Sequence, residues 1–116
     1  MAEVQNVTLN TFPDAVERSA LPVVVDFYAT WCGPCRMLAP VLDDLAEDYE
    51  GRVRFVRVNV DEEPSLAERF RVGAVPTVLL ISGGKVAATR IGFVPRQVLV
   101  PLIDALLQAS HGQAAS

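Results

Sequence analysis

Residues 23–29, VVVDFYA, restrict the fold more than any other stretch of the chain. The run is apolar at nearly every position rather than at every second one. That pattern predicts a β-strand covered on both faces, and hence a sheet with helices on each side. Pro22 leads into the run, and Gly33-Pro34 breaks the pattern shortly past its end. The one discordant residue is Asp26. An unpaired buried carboxylate costs several kcal/mol or takes up a proton to avoid its charge. Its place in the run, six residues before Cys32, calls for a chemical reason.

The rest of the chain supplies the partners such a strand needs. Val4 to Leu9 reads as a short edge strand, followed by a helix from about Thr11. After Gly33-Pro34, with Pro34 suited to a first helical turn, Leu38, Val41, Leu42, Leu45, Ala46 and Tyr49 recur at helical spacing, and Gly51 is the stop. Pro40 lies inside this helix and removes one backbone hydrogen bond. Val53–Val60 alternates as a strand, with Phe55, Arg57 and Asn59 on one face and Val56, Val58 and Val60 on the other. A short helix is expected from Pro64 to Val72, closed by Gly73. Thr77–Ile81 and Val86–Ile91 flank Gly83-Gly84 as a tight hairpin. Leu99, Leu102, Ile103, Leu106 and Leu107 mark a last helix, in which Pro101 forces either a late start or a bend. The order β-α-β-α-β-α-β-β-α predicts an α/β domain, a mixed sheet of about five strands flanked by about four helices. At 116 residues there is room for one such domain, set at 1–109, with a polar, flexible tail at 110–116.

Charge and hydropathy narrow the function. Half the residues are hydrophobic and the net charge is −4, with no basic stripe, which argues against nucleic-acid binding. No apolar run approaches the roughly 20 residues of a membrane span, so no membrane partner is expected. The start, MAEVQNVTLN, lacks the features of a signal peptide, which points to the cytoplasm. A lone domain is most simply a monomer.

The two cysteines, Cys32 and Cys35, therefore need an explanation other than an extracellular staple. A structural zinc site takes about four ligands, and the chain offers no second cysteine pair and one histidine, His111. No metal is expected. Inert buried thiols and a redox pair remain, and a strand–CxxC–helix context favours the second. At i and i+3 across a first helical turn the sulfurs can close a small ring. Cys32, at the helix start where free N–H groups favour a thiolate, is the nucleophile. Cys35, one turn inside and more buried, is the resolving thiol. No dinucleotide-binding GxGxxG is present, so electrons must come from a separate protein.

The motif WCGPC, Asp26 six residues before its first cysteine, and Val75-Pro76-Thr77 before the hairpin together resemble thioredoxin over roughly Val4 to Ala109. The resemblance implies the thioredoxin fold and a general protein disulfide reductase working by dithiol–disulfide exchange. Its partners would be disulfide-containing proteins and a thioredoxin reductase or equivalent donor, with no cofactor beyond the cysteine pair. It implies that Asp26 is the general base for Cys35. Trp31, Gly33, Pro34, Ala74, Val75, Pro76, Gly92 and Phe93 would form the docking surface. Asp61 would hold the Trp31 indole, and Val75-Pro76 would be a cis-proline loop. Arg57, where Lys is common, would tune Asp26 by keeping it more ionised, because a guanidinium does not give up its proton. Ala74, Phe93 and Tyr28 also depart from the usual pattern. Two other functions compete: an oxidase or isomerase on the same fold, and a binding module or subunit that keeps the cysteines incidentally.

Overall fold

The computed structural model describes residues 3–115, with side chains described as far as residue 110. Five strands, β1 (Gln5–Asn6), β2 (Val23–Tyr28), β3 (Arg54–Asn59), β4 (Thr77–Ser82) and β5 (Lys85–Ile91), form one sheet in the order β1-β3-β2-β4-β5. The first three run parallel, while β4 and β5 run antiparallel to their neighbours. The helices are α1 (Gly33–Asp48), α2 (Pro64–Arg69) and α3 (Arg96–Ala115), with a π-helical turn at Pro13–Glu17. This is the mixed sheet of a thioredoxin fold, with four helical segments among the described residues.

β2 is central and buried from Val23 to Phe27, as an unbroken apolar run requires. Its alternate residues serve two cores. Val24 joins Phe55, Val78 and Leu80 under α1 and α3, where Leu38, Leu42, Leu45, Leu99 and Ile103 pack. Val23, Val25 and Phe27 join Val56, Val58, Leu79 and Ile81 on the other face, under Phe12, Val16 and Leu66. Asp26 shares the parity of Val24 and therefore faces the α1 side.

Four boundaries differ from the sequence expectation. β1 is two residues long because the chain turns at Thr8: the Thr8 N–H donates to Thr11 Oγ1 (2.9 Å), and the Phe12 N–H to Thr8 O (2.9 Å). The first helix is reduced to the π-helical turn, closed by Arg18 N–H to Pro13 O at 2.8 Å. α2 ends at Arg69 rather than near Val72, and its left-handed closing residue is Arg71 (φ 55°), not Gly73. Val72 N–H bonds to Ala67 O and Arg71 N–H to Glu68 O, the paired bonds of a Schellman ending. Pro101 does not delay α3, which already includes it as its sixth residue. The hairpin forms as expected, with Gly83 and Gly84 both at positive φ (59° and 78°). α3 continues to Ala115, through the segment expected to be a flexible tail; the side chains of that segment beyond Ser110 lie outside the described residues. No helix among the described residues is long and apolar enough to cross a membrane.

Candidate active site

Cys32 and Cys35 are joined in a disulfide with a Cα–Cα separation of 5.2 Å, the span that an N-terminal helical turn provides. Cys32 is the N-cap of α1 with extended backbone, and its sulfur accepts the Cys35 N–H at 3.1 Å. Gly33 and Pro34 fill the first two helical positions, where the missing N–H of proline is not needed. Both cysteines are buried, Cys32 to 4 % and Cys35 to 2 % exposure, so the contrast expected between them is slight. Pro40 sits on the exposed side of α1, one turn beyond the pair, and α1 passes through it.

The loop before β4 brings a second chain segment to the sulfurs. Val75–Pro76 is a cis peptide, and the Val75 carbonyl oxygen lies 3.6 Å from Cys32 Sγ. Two bonds fix this loop: Thr77 Oγ1 donates to Ala74 O at 2.6 Å, and Gly92 N–H to Pro76 O at 2.8 Å. Gly92 has φ 91°, a conformation that L side chains rarely adopt. Trp31 is 67 % exposed, and its indole N–H donates to Asp61 Oδ2 at 2.9 Å. Asp61 is itself held by its N–H bond to Asn59 Oδ1. Trp31, Val60, Val72, Gly73, Ala74 and Val75 line a shallow cleft of about 170 Å³. Phe93 and Ile91 are exposed on the chain around Gly92. An apolar rim thus surrounds the mouth of a buried sulfur pair.

Beneath the sheet surface lies the buried charge. Asp26 is fully buried, and neither carboxyl oxygen has a hydrogen-bond partner among the described residues. Burial pushes its pKa up from 3.8 to about 7, against an opposing pull from Arg57. Arg57 is the parallel-register neighbour of Asp26, with Nη2 3.9 Å from Oδ2. Its guanidinium lies over the Tyr28 ring, 4.5 Å from the centroid. Cys35, Ala39 and Arg57 share the lining of a cleft of about 330 Å³ with Tyr28, Thr30 and Arg36, so the resolving sulfur and the acid's counter-ion meet one space. Asn6 completes this neighbourhood by accepting a hydrogen bond from the Tyr28 hydroxyl at 2.7 Å. Asn6 carries no sequence signal of that placement, because only the β1–β3 register brings it there. Among the described residues no group of three His, Cys, Asp or Glu side chains could hold a metal ion.

The arrangement suits two-electron sulfur exchange: a sulfur at a helix start, a second one turn on, and a buried acid able to hold a proton near neutral pH. The family model described as Thioredoxin matches residues 3–105. Thioredoxin 1 of Nostoc sp. is 43 % identical over 104 residues, spanning 90 % of this chain and 97 % of the relative. Thioredoxin of Haemophilus influenzae is 42 % identical over 104 residues, with the same two coverages. Thioredoxin M-type, chloroplastic, of Chlamydomonas reinhardtii is 41 % identical over 106 residues, spanning 91 % of this chain and 76 % of the relative.

Proposed function

The chain belongs to the thioredoxin family and is a dithiol–disulfide reductase of the thioredoxin type, and from that premise we propose how its residues divide the work. The observation that carries the reading is the Cys32–Cys35 disulfide across the first turn of α1, beside the Val75–Pro76 loop. In the reduced protein the Cys32 thiolate attacks one sulfur of a substrate disulfide. A Cys32–substrate bond forms, the substrate S–S bond breaks, and the leaving thiolate takes a proton. The Cys35 N–H that now bonds to Cys32 Sγ would stabilise the attacking thiolate before this step. Cys35 then gives up its proton and attacks Cys32 Sγ, which expels the second substrate thiolate and regenerates the disulfide. Two electrons have passed to the substrate, and a separate reductase must restore them.

Asp26 is the acceptor for the Cys35 proton. Its burial on the α1 face and its elevated pKa support this role, since an acid titrating near 7 can take and return a proton at neutral pH. Trp31, Gly33, Pro34, Ala74, Val75, Pro76, Gly92 and Phe93 form the docking surface, with Asp61 holding the indole and Arg57 tuning Asp26. Exchange needs no cofactor beyond the two sulfurs, and the working unit is a monomer. A reducing pair functions in a reducing compartment, which supports the cytoplasm; the chloroplastic names among the relatives make a plastid the competing location.

The test is Cys35→Ser incubated with a disulfide-bonded protein substrate. Accumulation of a covalent mixed disulfide through Cys32, resolved by added dithiol, is the expected result. Unchanged turnover in that variant would overturn the reading. For Asp26, the rate of mixed-disulfide resolution should rise with pH through about 7 and lose that step in Asp26→Asn; an unaltered profile would remove Asp26 from the mechanism.

A further inference from the structure

The sheet register places three polar side chains in one row across three strands. Asn6 on β1 pairs with Arg57 on β3, and Arg57 pairs with Asp26 on β2. Tyr28 stands two residues along β2 from Asp26 and so lies on the same face. What keeps Arg57 in this row is not obvious from its bonds. Its Nη2 sits 3.9 Å from Asp26 Oδ2, its Nε has no partner among the described residues, and its side chain is 23 % exposed. A long cationic side chain at the protein edge ordinarily keeps its charged head in water. The contact that opposes this is the Tyr28 ring, under the guanidinium at 4.5 Å. The ring is in turn fixed from the far side of β3, by its hydroxyl donating to Asn6 Oδ1 at 2.7 Å.

We propose that Tyr28, braced by Asn6, is a positioning residue that holds the Arg57 guanidinium beside the Asp26 carboxyl. The consequence for proton transfer rests on the reading of Asp26 as the base; the positioning itself does not. Few other groups compete. Arg57 is the charge β3 presents on this face, Arg54 being of opposite parity and bonded to the Ala15 carbonyl, and β4 places uncharged Val78 opposite Asp26. Beyond it β5 carries Arg90, exposed and bonded to the Thr89 carbonyl. α1 contributes Cys35 and Arg36, the latter bonded to the Thr30 carbonyl at 3.1 Å, and α3 meets this face with Leu99 and Ile103. Arg57 is therefore the cation whose placement matters, and Tyr28 decides that placement.

The sign of the effect separates positioning from simple filling of space. If Tyr28 only fills space, Tyr28→Leu lets water toward Asp26, relieves its desolvation and lowers its titration midpoint. If Tyr28 holds Arg57, the same change releases the guanidinium and raises the midpoint. The experiment is a carbon-13 NMR titration of the Asp26 carboxyl in the oxidised full-length protein. Arg57→Met should raise the midpoint by about one pH unit, and Tyr28→Leu by about half of that. Asn6→Ala should give a smaller rise, and Tyr28→Trp, which restores an aromatic face, should return to within about 0.3 of the parent. Adding Tyr28→Leu to Arg57→Met should produce no further rise. An unchanged or lowered midpoint in Tyr28→Leu alone overturns the proposal, as does an equal rise on the Arg57→Met background. The pH profile of mixed-disulfide resolution, measured on the same variants, keeps the two readings apart. A midpoint that moves while the profile stays fixed supports the positioning role and removes Asp26 as the base.

Discussion

Replacing Asp26 by Asn should stabilise the folded protein, by an amount set by pH. The carboxyl is fully buried with both oxygens unpartnered among the described residues, and its pKa is raised from 3.8 to about 7. Below pH 3.8 the group is protonated in both folded and unfolded chains and contributes no pH dependence. Between 3.8 and about 7 the unfolded chain has released a proton that the folded chain retains. Folding stability then falls by about 1.4 kcal/mol for each pH unit. Above about pH 7 both states are ionised and the loss levels off at about 4 kcal/mol. Asn matches the protonated carboxyl in shape and has the same unpartnered surroundings, so the two proteins should be nearly equal at about pH 4. The pull of Arg57, with its guanidinium 3.9 Å away, is already contained in that pKa and needs no separate allowance. Urea unfolding of both oxidised proteins, followed by far-UV circular dichroism from about pH 4 to about 8.5, measures the difference. It should open from near zero to about 4 kcal/mol as pH rises. A difference that is constant with pH, or an Asn variant less stable than its parent at about pH 8, would refute the desolvation argument.

Other substitutions test separate parts of the structure. Arg57→Lys should raise the Asp26 midpoint, because Lys can shed its charge in a partly buried site; an unchanged or lower midpoint in the NMR titration counts against tuning by Arg57. Arg71→Gly should stabilise the protein by about 0.5–1 kcal/mol in urea, because Arg71 closes α2 at φ 55° and glycine adopts that conformation without strain. Gly92→Ala should cost about 1–2 kcal/mol. An added Cβ there meets nothing within 4 Å, so the cost is backbone strain at φ 91° and larger side chains should cost little more than alanine. Leu42→Ala, on the buried face of α1 at 1 % exposure, should cost about 2–5 kcal/mol by thermal or urea unfolding.

Much of this protein is legible in its sequence because several signals are local. Continuous apolarity over residues 23–29 requires cover on both faces of β2, and the structure provides α1 and α3 on one side and α2 with the π-helical turn on the other. Helical spacing from Leu38 to Tyr49 marks α1, and two adjacent glycines mark the hairpin, because periodicity and backbone freedom are properties of short segments. Local signals also mislead where a side chain or a tertiary contact ends an element. The mutual bonds of Thr8 and Thr11 cut β1 short, and Arg71 rather than a glycine closes α2. Pro101 leaves a late helix start or a bend open, and α3 starts before it, since the packing of Leu99, Ile103, Leu106 and Leu107 outweighs one missing hydrogen bond.

The sequence by itself determined the chemistry: two cysteines one helical turn apart, a glycine and proline that start the helix, and an acid in an apolar strand. Those features rest on spacing, which the covalent chain carries. The tertiary structure decided which distant groups that chemistry meets. Val75 reaches the Cys32 sulfur, Asp61 meets the Trp31 indole, and Asn6 meets Tyr28 only because strands and loops far apart in the chain are brought together. The proton affinity of Asp26 belongs to this second class. Its rise comes from exclusion of water by a core assembled from the whole chain, and its restraint comes from an arginine placed by strand register. Desolvation and charge pairing are properties of three-dimensional surroundings, and no segment contains them alone.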